Sequence, residues 1–280
     1  MPSRAFSPCH ITGFFEIFDN GSTGAGVCLA EGMTTEAGRA ERTAVTINGR
    51  SSPAPVSREV VSRFSALLGR PVAAVVRHSC PLPVGSGFGA SAAGALSLSL
   101  ALNEEFQAGL SPLECARIAH EAELACRTGL GGVIAEFTGG FVLRKEPGSF
   151  DAAERLPLPE GYRVVFAHLR GIQTRRVITD AEWRKRINAA GEHALAVFRR
   201  RNSPEDFMEL SRSFAFETLL ASGRISRILE AIPACSMTML GKAVFSLTDE
   251  PGKVARALRS LGLSPKTVEL GGSKPRVLKK

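Results

Sequence analysis

Pro83-Val84-Gly85-Ser86-Gly87-Phe88-Gly89-Ala90-Ser91-Ala92-Ala93 is the stretch on which the fold turns. Its three closely spaced glycines permit positive φ angles and let a bulky group approach the main chain. Small residues follow at once, and the alanine- and leucine-rich run predicts a helix over Ala90–Leu102. A helix N-terminus carries unpaired N–H groups and a partial positive charge. Glycine turn and helix start together form a cradle for a phosphate. Pro83, Gly85, Gly87, Phe88, Gly89, Ala90 and Ala92 would frame it, and Ser86 and Ser91 offer hydroxyls to phosphate oxygens or to a magnesium ion. No lysine follows the last glycine, so this is not a Walker-type loop. After the loop no acidic residue appears until Glu104, inside the same element, and Pro81 and Pro83 suit a central parallel strand badly, which argues against a dinucleotide fold.

Working outward, the β-branched run Val72–His78 predicts a strand leading into the loop. Ser111-Pro112-Leu113-Glu114 reads as a capping box opening a helix that runs to Cys126, broken by Thr128-Gly129-Leu130-Gly131-Gly132. Phe141–Arg144 reads as a strand. The proline- and glycine-rich stretch from Pro147 to Gly161 then predicts a division near residue 150, into a first domain over 1–150 and a second over 151–280. In the second half, Arg163–Leu169, Ala243–Leu247 and Thr267–Leu270 read as strands. Ala181–Arg201, Pro204–Ala221 and Lys253–Leu261 read as helices. This order predicts an open-faced α+β sandwich.

Composition narrows the function classes. The 280 residues carry a formal charge of +8, from 35 basic and 27 acidic side chains. The basic clusters Arg184-Lys185-Arg186 and Arg199-Arg200-Arg201 fall in a helical pattern without an aromatic platform, which points to anionic metabolites rather than nucleic acid. The six cysteines show no CxxC pair and no zinc spacing, as expected of buried free thiols in a reducing compartment. The N-terminus lacks the apolar core of a signal peptide, and Ser91–Leu102 is too short to span a bilayer, so a cytoplasmic protein is expected.

The loop resembles the phosphate loop of the GHMP kinase superfamily, P-x-x-x-G-L-G-S-S-A, with Phe88 in place of leucine and Ala90 in place of the first serine. Arg4-Ala5-Phe6-Ser7-Pro8-Cys9-His10-Ile11-Thr12-Gly13-Phe14-Phe15-Glu16 is similar to the family's first motif, in the form closest to the archaeal pantoate kinases, with Cys9 for a glycine. Gly21–Gly26 is similar to a further glycine-rich segment of that branch, and Ser236–Gly241 sits where the family has its third motif. The resemblance implies a ribosomal protein S5 domain 2-like N-terminal ATP-binding domain and a ferredoxin-like C-terminal domain. It also implies transfer of phosphate from ATP, with Mg2+, to the hydroxyl of a small acceptor. Pantoate is the acceptor the first motif favours, over a mevalonate- or shikimate-like alcohol. No nucleic-acid or membrane partner is implied, and a homodimer is compatible with the sequence.

The resemblance also assigns roles. Ser91 would meet magnesium together with Glu121 or Glu123, which remain alternatives. His10, Thr12 and Glu16 would contact substrate. Pantoate's carboxylate calls for a cation, with Arg4, Arg77, Arg127 and Lys242 as candidates, and Thr174-Arg175-Arg176 is a further contact to consider. Where the related kinases have a catalytic aspartate this chain has Gly132. Either Glu136, one helical turn on, replaces it as base, or no protein base is used. A nucleotide-binding protein without catalysis is the remaining reading.

Overall fold

The computed structural model describes residues 1–169, 181–239 and 241–279. The Thr174-Arg175-Arg176 segment lies outside them. The chain opens with two long strands, β1 (Ser3–Phe18) and β2 (Gly21–Arg39), then β3 (Ala44–Ile47), β4 (Arg50–Ser51), α1 (Pro55–Leu67) and β5 (Ala74–Ser79). After the glycine loop come α2 (Ala90–Phe106), α3 (Pro112–Ala125), α4 (Gly132–Thr138), β6 (Phe141–Arg144) and β7 (Ala153–Leu156). The remainder holds β8 (Arg163–His168), α5 (Ala181–Arg201), α6 (Pro204–Glu217), α7 (Arg224–Ala231) and β9 (Ser236–Met237). It ends with β10 (Ala243–Thr248), α8 (Pro251–Ser260), β11 (Pro265–Val268) and β12 (Arg276–Leu278).

Two sheets result. The larger has the order β12-β1-β2-β5-β3-β4, with β6 paired to β2 and β7 to β6. The smaller is antiparallel, β11-β8-β10-β9. The α+β architecture is the expected one, and the capping box at Ser111 and Glu114 is formed. The division at residue 150 needs correction. It separates β6 from its ladder partner β7, and the C-terminal β12 returns to pair with β1, so the larger sheet is closed by the chain's end.

β1 and β2 are not among the expected strands. Most of β2 is buried, so it lacks the polar–apolar alternation that marks a half-exposed strand. Their register breaks twice, between Pro8 and His10 and between Thr12 and Phe14. At the second break Gly13 is the extra residue, and a Cβ there would lie 2.4 Å from the Phe207 ring of α6. At the first break β2 carries extra residues, and Ala30 and Cys28 bond instead to the backbone of Glu269 and Gly271. The stretch His10–Thr12 is thus offset from the ladder on either side.

Phenylalanines fill the space between the sheets. Phe14 meets Phe198 at 5.3 Å between ring centroids, and Phe141 meets Phe207 at 5.3 Å. A second apolar cluster, including Val60, Phe64, Val76 and Leu98, joins the larger sheet to α1, α2 and α3. Helix α5 approaches β1 closely, because Gly191 has no side chain. A Cβ there would stand 2.2 Å from the Phe15 carbonyl oxygen. In an open helix Gly→Ala gains about 1 kcal/mol. Here the sign is reversed, and Gly191→Ala is expected to lower stability by about 1–3 kcal/mol through overpacking, read as a shift of the urea unfolding midpoint.

Candidate active site

The glycine loop takes the conformation its composition predicts. Gly85, Gly87 and Gly89 have φ of 77°, 84° and 69°. Gly89 is the N-cap of α2, and the first helical bond runs from Ala93 N–H to the Gly89 carbonyl at 3.0 Å. The amides before Ala93 therefore lack intrahelical acceptors and are available to an anion. Gly87 is also required sterically, since a Cβ there would lie 2.7 Å from that of Thr238.

Three anchors fix the loop. The His10 N–H donates to the Phe88 carbonyl at 3.0 Å. Thr238 Oγ1, from the third glycine-rich segment, donates to the Ser86 carbonyl at 2.8 Å. Phe88 is fully buried with its ring 4.7 Å from Phe166 on β8. The loop wall that faces the cavity includes Gly85, Gly87, Gly89, Ala90, Ser91 and Ala92. Ser86 is a correction: its side chain is buried off the wall, and it serves the loop through its carbonyl. Pro83 likewise lies behind the wall, on the approach to the turn.

The cavity beneath the loop holds about 720 Å³, within the usual range for small-ligand sites. On one side it is lined by Ile47, Pro53, Val56 and His78, and elsewhere by His10, Thr12, Ser22 and Arg144. Ser91 Oγ donates to Glu123 Oε1 at 2.5 Å, and Thr128 Oγ1 donates to the same oxygen at 2.8 Å. Burial raises the Glu123 carboxyl above its usual value, against the pull of the Ser91 and Thr128 hydrogen bonds. Of the two glutamates considered for magnesium, the structure brings Glu123 to Ser91. Glu121 is exposed and ion-paired to Arg63 at 2.5 Å, which corrects that alternative.

Glu136 is a further correction. It lies on α4, fully buried, with neither carboxylate oxygen hydrogen-bonded among the described residues. It sits behind Gly89, where a Cβ would come within 2.6 Å of its Oε1, and it does not line the cavity. Burial, then the nearby Glu123 and Cys80, push its pKa well up, with only Ser7 pulling the other way. A carboxyl walled off from the cavity cannot take a proton from a substrate. Glu16 also faces away, accepting from Thr23 Oγ1 at 2.8 Å and packing on Gly191, whereas His10 and Thr12 do line the cavity. Burial and then the Arg144 cation hold His10 well below the ordinary histidine value, so it is neutral.

Arg144 was not among the candidate cations, because it ends a strand whose other residues are apolar. It is 1% exposed, and its Nε and Nη1 have no hydrogen-bond partner among the described residues. Burial lowers its pKa only to about 10, so it stays charged. Gly131 leaves room for it. A Cβ there would lie 2.4 Å from Ser22 Oγ and 2.7 Å from Arg144 Nε. Arg4 is paired with Glu36, and Arg77, Arg127 and Lys242 do not line the cavity.

A glycine turn at a helix start, a hydroxyl–carboxylate pair and a buried cation line one cavity, an arrangement that suits a phosphotransferase, and the sequence relationships are with such enzymes. Residues 56–140 match the GHMP kinase N-terminal domain. The chain is 35% identical over 306 residues to the pantoate kinase of Thermococcus kodakarensis, covering 99% of this chain and 98% of that one. It is 32% identical over 252 residues to the pantoate kinase of Methanocaldococcus jannaschii, covering 87% and 92%. A solved phosphotransferase related to the coenzyme A biosynthesis pathway superposes with a TM-score of 0.86 at 33% identity over 99% of both chains. The chain belongs to the GHMP kinase family.

Two sets of variants test the site. Ser91→Ala and Glu123→Gln are each expected to cut turnover by ~10²-fold or more, as loss of a group stabilising transition-state charge does, while Glu121→Gln leaves steady-state kinetics unchanged. Glu136→Gln should lose far less than the ~10²–10⁴-fold that a general base supplies. Its signature is in stability. A carboxyl whose folded pKa is raised contributes fully below its unfolded value and loses that contribution as pH climbs through the folded pKa. Melting temperatures of wild type should therefore fall more steeply than those of Glu136→Gln as pH rises above the ordinary carboxylate range.

Proposed function

We propose that this kinase transfers the γ-phosphoryl group of ATP to the 4-hydroxyl of pantoate, as an enzyme of coenzyme A synthesis in the cytoplasm. The observation that carries the reading is Arg144. A buried guanidinium with two of its nitrogens unpaired among the described residues is costly unless an anion completes it. Its place on the cavity wall, in the same cavity as the phosphate cradle, calls for an acceptor with a carboxylate. Pantoate has one, and the sequence relatives named above are pantoate kinases.

The residues divide the work. The free amides at the start of α2 take the phosphates, and the apolar wall of Ile47, Pro53 and Val56 suits the base of the nucleotide. Ser91, Glu123 and Thr128 present the hard oxygen ligands that Mg2+ prefers, and they converge on one point. Magnesium bound there would neutralise phosphate charge. Arg144, helped by Ser22, would hold the acceptor's carboxylate and so direct its hydroxyl at the γ-phosphorus. The hydroxyl oxygen forms the new P–O bond as the bond to the β-phosphate oxygen breaks and ADP departs. The transition state is loose, so the hydroxyl keeps its proton until late and can give it to a phosphoryl oxygen or to water. Gly132 and the buried Glu136 leave the cavity without an aspartate or glutamate base at those positions. Positioning and charge stabilisation carry the rate instead.

A coupled assay comparing pantoate, pantoyl amide, mevalonate and homoserine tests the substrate. Pantoate is expected to have the highest kcat/KM and the neutral amide to be poor. Arg144→Met should raise the KM for pantoate by ~10²-fold, in line with the 2–5 kcal/mol typical for removing one member of a buried charge pair, and leave ATP affinity unchanged. Equal use of pantoate and its amide by wild type overturns the assignment.

A further inference from the structure

Cys9 and Cys80 lie 71 positions apart in sequence, yet their sulfurs are 3.9 Å apart in the core. Among the described residues no other two cysteine sulfurs are in hydrogen-bonding contact, and Cys28 is engaged with the Ala135 carbonyl. Neither thiol has a part in the mechanism above. Both border the parts that shape the cradle. Cys9 immediately precedes His10, whose amide holds the Phe88 carbonyl and whose backbone lies against Gly89. Cys80 is the last residue before the loop's approach, Pro81–Leu82–Pro83.

We propose that Cys9 and Cys80 are an oxidation site, a thiol pair that a peroxide converts to a disulfide, and that this bond distorts the phosphate cradle. The second clause rests on the kinase reading; the first does not.

The two sulfurs are not equivalent. The two thiols share a hydrogen bond in which either sulfur can donate, and the Leu82 amide adds a second hydrogen bond to Cys80. Together, against burial, they bring the Cys80 pKa below the ordinary value, while the same contact and burial hold Cys9 well above it. Cys80 is also the slightly exposed member, with Cys9 fully enclosed. Cys80 is therefore the attacking thiolate and Cys9 the resolving thiol. The Cys80 sulfur attacks one peroxide oxygen, the O–O bond breaks, and with a proton the first water leaves, giving a sulfenic acid. The Cys9 sulfur then attacks the Cys80 sulfur, loses its proton and expels the hydroxyl as a second water. Two thiols lose two electrons, and one peroxide becomes two waters.

Closing the pair has a mechanical consequence. A disulfide needs about 2.05 Å between sulfurs, so the gap shrinks by nearly half. Cys80 resists moving, because Asn48 brackets its backbone, with Nδ2 on the Cys80 carbonyl at 3.0 Å and Oδ1 on its amide at 2.9 Å. The displacement falls on β1 at Cys9 and His10. A shift of ~1 Å in groups that position a reaction can cost 10²-fold.

The experiment treats the reduced full-length protein with hydrogen peroxide, then digests it with trypsin under non-reducing conditions. The expected product joins Ala5–Arg39 to His78–Arg117 with loss of two hydrogens, located by fragmentation to Cys9 and Cys80. It should be absent from Cys9→Ala and Cys80→Ser. In parallel, affinity for ATP with magnesium should fall at least ~10-fold on oxidation, return with dithiothreitol, and stay constant in both variants. If one variant fails to fold, the other and the peptide map still decide. The site is overturned if other thiols or methionines oxidise while these peptides remain unlinked. The gating is overturned if the linked protein binds ATP as tightly as the reduced one. A reduced protein that binds no ATP would instead sink the kinase reading and leave the peptide map intact.

Discussion

Phe88 is held in the core against Phe166, in the middle of a loop that must also present its backbone to an anion. A glycine-rich turn is entropically expensive to order, and an unanchored one would pay that cost on every binding event. Here folding has already met it. The ring of Phe88 plugs the loop into the smaller sheet, Thr238 fastens the Ser86 carbonyl from the same half, and the His10 amide fastens the Phe88 carbonyl from β1. The cradle is therefore formed jointly by both halves of the chain. The return of β12 to β1 and the bonding of residues 28–30 to 269–271 reinforce the same junction.

Charge around the cradle follows a consistent pattern. Arg144 stays cationic because even complete burial leaves its pKa near 10. His10 beside it is neutral, so of these two cavity-lining side chains only Arg144 carries a positive charge. Burial and then Glu123 push the Glu136 carboxyl, directly behind Gly89, towards its neutral form. An ionised carboxylate at that place would oppose a phosphate seated on the loop, and its neutrality removes the conflict. Glu123 differs in having two hydroxyl donors, which favour its charged form and leave it suited to a metal ion.

Much of this was legible in sequence, and the gaps have physical causes. The loop, the start of α2, the capping box at Ser111 and helix α5 follow from local signals, since glycine spacing, caps and helical period are fixed by near neighbours. The strands β1 and β2 did not show, because burial on both faces removes the alternation that periodicity detects. Helix α1 was missed although Val56, Val60, Val61 and Phe64 form a buried stripe behind Pro55. The glutamate pair could not be resolved from spacing, because Glu121 and Glu123 lie two residues apart on α3 and so on different faces. Arg144 carried no signal of its own. It sits in an apolar strand, and only the three-dimensional convergence of Ser22, Gly131 and Arg144 reveals it.

Gly132 is best understood from the packing at the start of α4. A Cβ on this residue would stand 2.9 Å from the Cβ of Ala92, in the first turn of α2. That is closer than two methyl groups tolerate, so α4 meets α2 at this point because the side chain is missing. The same approach sets Glu136 behind Gly89 and puts Gly131 beside Ser22 and Arg144. An aspartate here would need α2 and α4 to separate, and α2 carries both the cradle amides and Ser91. Base catalysis and the placement of the phosphate site therefore compete for one contact in this chain. Positioning is the larger contribution to phosphoryl transfer, so a close α2–α4 contact without an aspartate is compatible with an active kinase.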